Sequence, residues 1–233
     1  MDSVNESAKR TALAVAIDGP SGAGKSTVAR ILAEELHFIY VDTGALYRSV
    51  GYMALRSGLS PKDAPAVEAL LPRLHMEIRY IDGAQRVFVN GEDVSDCIRT
   101  PEVSMAASAV SSLPAVRRFL FDLQRDMAKT DNVVMDGRDI GTVVLPDAQV
   151  KIFLTASAEV RAQRRFDELA LKGEPVTYEE VLADMKKRDY DDSHRAAAPL
   201  KAAEDAVLVD TSAMDLRQAV EAIKAVVQKA LAG

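Results

Sequence analysis

The sequence predicts an α/β fold: a parallel five-stranded sheet flanked by helices, with an inserted small antiparallel β subdomain. Three observations carry that expectation. A continuous apolar run, Leu13 to Ile17, leads directly into a glycine-rich loop and then a helically spaced segment. Four more short apolar runs, Phe38 to Val41, Val133 to Met135, Val150 to Leu154 and Ala206 to Val209, are separated by long helical patterns. Strands alternating with helices imply parallel pairing through helical crossovers. Between about residues 63 and 100 the rhythm changes to two-residue alternation punctuated by Asp82-Gly83 and Asn90-Gly91, which marks antiparallel hairpins.

Taken in order, residues 1–11 read as a flexible polar leader. Leu13 to Ile17 has the unbroken apolar character of a strand buried on both faces. Then comes Gly19-Pro20-Ser21-Gly22-Ala23-Gly24-Lys25-Ser26, which fills every fixed position of the phosphate-loop pattern in its strand-then-helix setting. This is the signature of a P-loop NTPase-type core. Glycines let successive N–H groups turn toward one anion, and the following helix adds the positive end of its dipole. Lys25 brings a point charge for the outer phosphates, and the Ser26 hydroxyl is a ligand for Mg²⁺. Lys25 to Leu36 places Val28, Ile31, Leu32 and Leu36 at helical spacing.

After the second strand, Asp42-Thr43-Gly44-Ala45-Leu46-Tyr47-Arg48 reads as a helix start, with Thr43 as its cap and Arg48 one turn inside. In the insertion, Met76, Ile78 and Tyr80 alternate with Glu77 and Arg79 as on a half-exposed strand. Ser108 and Arg117 flank a helix break at Pro114. The run Val133 to Met135 ends in Asp136-Gly137-Arg138-Asp139. A carboxylate there, beside a phosphate loop, is the place for a group that orients magnesium through water, so Asp136 is the candidate. Arg138 and Asp139 project from the carboxyl edge, where open α/β sheets bind ligands; a structural pair between the two is the plainer alternative.

Arg161 and Arg165 share one helix face, with Arg164 beside them. They repel unless an anion lies between them, although a solvated basic face is the alternative. Arg188, Asp192 and Arg195 fall at i, i+4 and i+7, a stripe that clamps an anion or belongs to a salt-bridged exposed helix. Leu216 to Leu231 reads as an amphipathic helix packed on the sheet. These elements divide the chain into a core (12–62, 101–156 and 197–233), an insertion (63–100) and an arginine-bearing helical segment (157–196).

Composition narrows the function. The formal net charge of −6 argues against a general nucleic-acid binder, which would carry a basic face. No apolar run approaches the ~20 residues that span a bilayer. The single cysteine, Cys97, leaves no internal disulfide and no cysteine zinc site, and the three histidines lack metal-ligand spacing. The expectation is a cytoplasmic monomer with no membrane or nucleic-acid partner. At this level an NTP-dependent kinase for some small acceptor and an NTP-binding switch both remain open.

The quoted loop, Asp42 to Arg48, Asp136-Gly137-Arg138-Asp139-Ile140-Gly141-Thr142-Val143-Val144, Ile98-Arg99-Thr100-Pro101-Glu102-Val103 and the stretch Arg188 to Ala196 together resemble the bacterial cytidylate kinases, nucleoside-monophosphate kinases of the phosphate-loop type. The likeness runs in order from about residue 12 to 212. It implies MgATP-dependent phosphoryl transfer to CMP and dCMP in pyrimidine nucleotide metabolism, a nucleoside-monophosphate domain with a small antiparallel sheet, and a short helical lid over 157–196. The resemblance assigns ATP to Gly19, Pro20, Ser21, Gly22, Ala23, Gly24, Lys25, Ser26 and Thr27, with Arg161 and Arg165 reaching its phosphates. It assigns the acceptor to Thr43, Arg48, Ser108, Arg117, Arg138, Asp139, Arg188 and Asp192. Ser108, Arg138 and Asp139 would read the cytosine and Asp192 the sugar. Lys25, Arg138, Arg188 and Arg195 would carry the transferred charge. Position 43 is Thr where some relatives have Ser, which keeps the hydroxyl. UMP, AMP or another metabolite as acceptor, and a switch, are the competing readings.

Overall fold

The computed structural model describes residues 12–232; the expected leader, 1–11, lies outside them. The central sheet is parallel, ordered β2-β6-β1-β7-β8. Its strands are β1 (Ala14–Asp18), β2 (Ile39–Asp42), β6 (Val133–Gly137), β7 (Val150–Thr155) and β8 (Val207–Asp210). β1 and β6 are buried along their full length, as continuous apolar strands covered on both faces should be. Alternation along β1 splits its side chains. Val15 and Ile17 face a core completed by α1 (Lys25–Leu36) and α8 (Leu216–Ala232). Ala14 and Ala16 face the opposite layer, where Met127 and Ala128 of α5 (Pro114–Thr130) cover Val41, Val133 and Met135.

Between α2 (Thr43–Arg56) and α4 (Pro101–Ser111) lie a short helix, α3 (Ala64–Leu70), and a three-stranded antiparallel sheet. Its strands are β3 (Met76–Ile81), β4 (Ala84–Val89) and β5 (Glu92–Asp93). Val87, Val89, Leu70 and Leu74 pack in one cluster with Leu46 and Val50 of α2 and Leu120 of α5. Side chains of this sheet also seal the free edge of β2. Gln85 accepts from the Asp42 N–H at 2.9 Å and donates to the Asp42 carbonyl at 3.3 Å, and the Tyr80 hydroxyl donates to the Tyr40 carbonyl at 3.0 Å. An unpaired edge is otherwise a site of unwanted strand pairing.

The remaining pair, α6 (Ala158–Leu171) and α7 (Tyr178–His194), holds a small core of its own around Ala162, Leu169 and Val181. Thr177 starts α7 with a full capping box, its hydroxyl receiving the Glu180 N–H while the Glu180 carboxylate receives the Thr177 N–H. Among the described residues no helix is long and apolar enough to cross a membrane.

Candidate active site

The site is assembled on the carboxyl ends of β1, β2 and β6. Gly19 lies so close to β7 that a Cβ there would stand 1.9 Å from the Leu154 carbonyl oxygen, at φ +148°; no other residue fits. The loop ends at Gly24, which opens α1 with no side-chain cap. The first N–H groups of α1 therefore lack a side-chain acceptor, the condition for anion binding at a helix start. Lys25 is buried and folds back, its ammonium donating to the Pro20 carbonyl at 2.7 Å. Burial, then the nearby Arg138, hold its pKa well below the usual lysine range, against the pull of Asp136, Asp18 and Asp192. Thr27 is exposed in the first turn of α1.

Asp136 receives the Ser26 hydroxyl at 2.8 Å and the Tyr40 hydroxyl at 3.0 Å. Burial, reinforced by Asp42, pushes its carboxyl up, with Lys25 opposing. A cation beside Ser26 and Asp136 would relieve that cost. Among the described residues no group of three or more His, Cys, Asp or Glu is placed to hold a metal. Ser26 and Asp136 offer the one or two protein oxygens that Mg²⁺ takes, the rest of its shell coming from water and substrate phosphates.

Two sequence expectations need correction here. Thr43 does not cap α2: the cap is Asp42, whose carboxylate accepts the Ala45 N–H at 2.9 Å. The Thr43 hydroxyl instead donates to the Asp136 carbonyl at 2.7 Å, tying α2 to β6. Both residue types cap well, and only the extended backbone at Asp42 (φ −81°, ψ 91°) decides between them. The helical stripe also ends early. α7 stops at His194, and Arg195 is already extended (φ −64°, ψ 140°).

The arginines nevertheless gather through carboxylates. Arg117 of α5 pairs with Asp139, and Arg195 reaches the same carboxyl at 3.4 Å. Arg138 does not pair with its neighbour Asp139; its Nε donates to Asp192 of α7 at 2.8 Å. Burial opposes ionisation of Asp192, but Arg138, Arg188 and Arg195 together outweigh it and the carboxyl sits below the ordinary range. At Asp139 burial wins over Arg117 and Arg195, and the pKa rises. Arg48 donates to Asp42 at 2.8 Å, and Arg99 approaches the same carboxylate at 3.2 Å. Arg188 has no partner at its buried Nε, and burial, then Arg138, lower its pKa to about 10. Ser108 stands half-buried on α4, near the Arg117 contact to the Ser111 carbonyl at 3.4 Å.

Arg161 and Arg165 part company. Arg161 is buried and donates to the Ala156 carbonyl at 2.8 Å, the Ser21 carbonyl at 2.9 Å and both oxygens of Asp189. Arg165 turns outward to Glu168 at 2.7 Å. The anion facing Arg161 is therefore a protein carboxylate from α7. Residues the sequence reading passed over include Asp18, Arg99, Asp189, Tyr40 and Gln85. Arg99 and Asp189 stood inside quoted motifs and Asp18 directly before one, but no spacing rule connects them to their partners.

A phosphate loop facing convergent arginines across the carboxyl edge of a parallel sheet defines a phosphate-loop kinase. A family model described as cytidylate kinase matches residues 15–229. The cytidylate kinase of Carboxydothermus hydrogenoformans is 52% identical over 206 residues, covering 88% of this chain and 93% of that protein. That of Caldicellulosiruptor bescii is 49% identical over 209 residues, covering 90% and 92%. The chain belongs to the cytidylate kinase family, the nucleoside-monophosphate kinases that act on CMP. Among solved structures, an uncharacterized protein from Eubacterium ventriosum superposes with a TM-score of 0.52 at 15% identity, covering 93% of this chain and 98% of that one; this likeness bears on the fold alone.

Proposed function

We propose that the enzyme transfers the γ-phosphoryl group of MgATP to CMP and dCMP, giving ADP and the diphosphates, as a cytoplasmic monomer. The observation that carries the reading is the meeting of two anion sites. Lys25 of the phosphate loop lies within the electrostatic reach of Arg138 and Asp192, which belong to the arginine cluster beyond it. Two anions seated in those sites would face each other over the edge of β1 and β6.

In this reading the loop Gly19 to Thr27 cradles the ATP phosphates. Ser26 and, through water, Asp136 would hold Mg²⁺, which when bound would neutralise charge on the donor phosphates. Arg48, Arg188 and Arg195 draw the acceptor phosphate into line, and Thr43 stands beside it. Ser108, Arg117, Arg138 and Asp139 read the cytosine, and Asp192 takes the sugar hydroxyls. Arg165 swings from Glu168 to the donor phosphates, while Arg161 serves the donor site by joining the phosphate loop to α7. The protein has little covalent work here. It supplies alignment and fixed cations, and the planar fork of arginine suits that task better than lysine. Residues 63–100 act as the acceptor domain and 157–196 as the lid.

A coupled assay of ADP release with MgATP against CMP, dCMP, UMP, AMP and no acceptor tests this. Turnover with CMP and dCMP above the rest is expected. Equal rates with UMP or AMP would overturn the base reading, and acceptor-independent ADP release would point to an ATPase or switch.

A further inference from the structure

Asp18 is the last residue of β1 and precedes the phosphate loop by one peptide bond. Its side chain is buried, and both oxygens are occupied. The Ile140 N–H donates to Oδ1 at 2.8 Å and the Gly141 N–H to Oδ2 at 2.7 Å. Those donors open a single π turn, Ile140–Val144, directly after Arg138 and Asp139. Later N–H groups of the turn bond locally: Val143 and Val144 to the Asp139 carbonyl, and Leu145 to that of Ile140. The first two depend on Asp18. The Lys151 side chain adjoins the same spot: a Cβ on Gly141 would stand 3.3 Å from it and 3.4 Å from Asp18 Oδ2. The turn is thus seated against a carboxylate and a lysine stem.

We propose that Asp18 is a positioning residue for the acceptor nucleotide, fixing the 138–141 segment to the strand that launches the phosphate loop. Strand pairing sets Asp18 beside Gly137, so β6 is already in register with β1 when its chain turns outward. Beyond Gly137 no ladder continues between the two. Two hydrogen bonds from one carboxylate take over, and charge-assisted bonds of that kind are stronger than neutral ones. Arg138 and Asp139 then stand in a fixed relation to Lys25 before either nucleotide arrives, which removes an ordering cost from binding. The inference rests on the roles given above to Arg138 and Asp139. Burial pushes the Asp18 carboxyl up to about 6 in spite of the two N–H groups.

Asp18→Asn keeps the shape but turns an NH₂ toward one of the two N–H donors. Asp18→Ser retains a single short acceptor. Steady-state kinetics of both full-length variants, with ATP saturating and then with CMP saturating, separate the possibilities. We expect the KM for CMP to rise roughly tenfold or more, the loss of one charge-assisted bond. The KM for ATP should move less than about threefold, and the preference for CMP over UMP should narrow. Asp18→Ser should fall between wild type and Asp18→Asn. A purely structural role would lower kcat for every acceptor through a smaller active fraction, leaving KM and preference as in wild type. That outcome overturns the proposal, as does failure of both variants to fold. A wild-type enzyme without preference for CMP would instead overturn the base-reading assignment itself.

Discussion

Two arginines of the helical pair have opposite energetics. Arg188 has a buried Nε without a partner, and burial with Arg138 draws its pKa down to about 10. The folded chain gains little from this cation, so Arg188→Ala should leave the melting temperature unchanged or higher. Turnover should fall at least about 100-fold, the scale of one electrostatic donor in a transition state. Arg161 is satisfied by Ser21, Ala156 and Asp189. Arg161→Ala strips donors from one buried and two partly buried acceptors and should cost about 1–3 kcal/mol, visible as a lower melting temperature. Thermal melts and kcat on the two variants check both; equal losses of stability would sink the distinction. The sequence displays both arginines, and nothing in their spacing separates them. What separates them is Asp189, 28 residues from Arg161, brought close only by the packing of α6 on α7. Asp18 was hidden for the same reason, since an aspartate before Gly-Pro reads as a turn former until Ile140 and Gly141 fold onto it.

At the scale of elements, the inner parallel strands were legible because burial on both faces demands apolar runs: β1 and β6 are buried along their length and apolar up to Asp18 and Asp136. β3 and β4 were legible from their alternation and from Asp82 and Asn90, both at positive φ in their turns. β5, only two residues long, carries no period at all. The π turn Ile140–Val144 was equally silent, because Ile-Gly-Thr-Val-Val is too short to show either period. Contacts between helices were not legible either, and Gly51 is the clearest example. A Cβ on Gly51 of α2 would lie 2.9 Å from the Ala107 nitrogen and 3.0 Å from the Ala106 carbonyl carbon of α4. Both are backbone atoms, so the helices must separate to admit it. Gly51→Ala should therefore destabilise the fold by about 1–3 kcal/mol as overpacking does, despite the better helix propensity of alanine. α4 carries Ser108 while α2 carries Thr43 and Arg48. The same substitution should raise the KM for CMP and leave that for ATP near wild type. An unchanged melting temperature would show that α2 and α4 yield freely.

For the molecule as a whole, the core is flanked by two units with separate interiors. The antiparallel sheet shares its cluster with α2 and α5, whereas α6 and α7 enclose their own. The inner end of the helical pair is pinned: Arg161 holds the Ser21 carbonyl, and Arg164 donates to the Thr211 carbonyl at 2.9 Å. Its outer turn, Lys172 to Pro175, is exposed. A body fixed at one end and free at the other pivots about the fixed end, here beside the phosphate loop. Water competes with the acceptor for the γ-phosphoryl group, so transfer is productive when both nucleotides are enclosed together. A two-ended inhibitor joining adenosine to cytidine through phosphates engages both sites at once and should draw α6 and α7 toward the insertion. Small-angle scattering should then give a smaller radius of gyration with the inhibitor than with ATP alone. An unchanged profile would mean that the groove is already closed, and exclusion of water would then fall to the arginine–carboxylate pairs that line it.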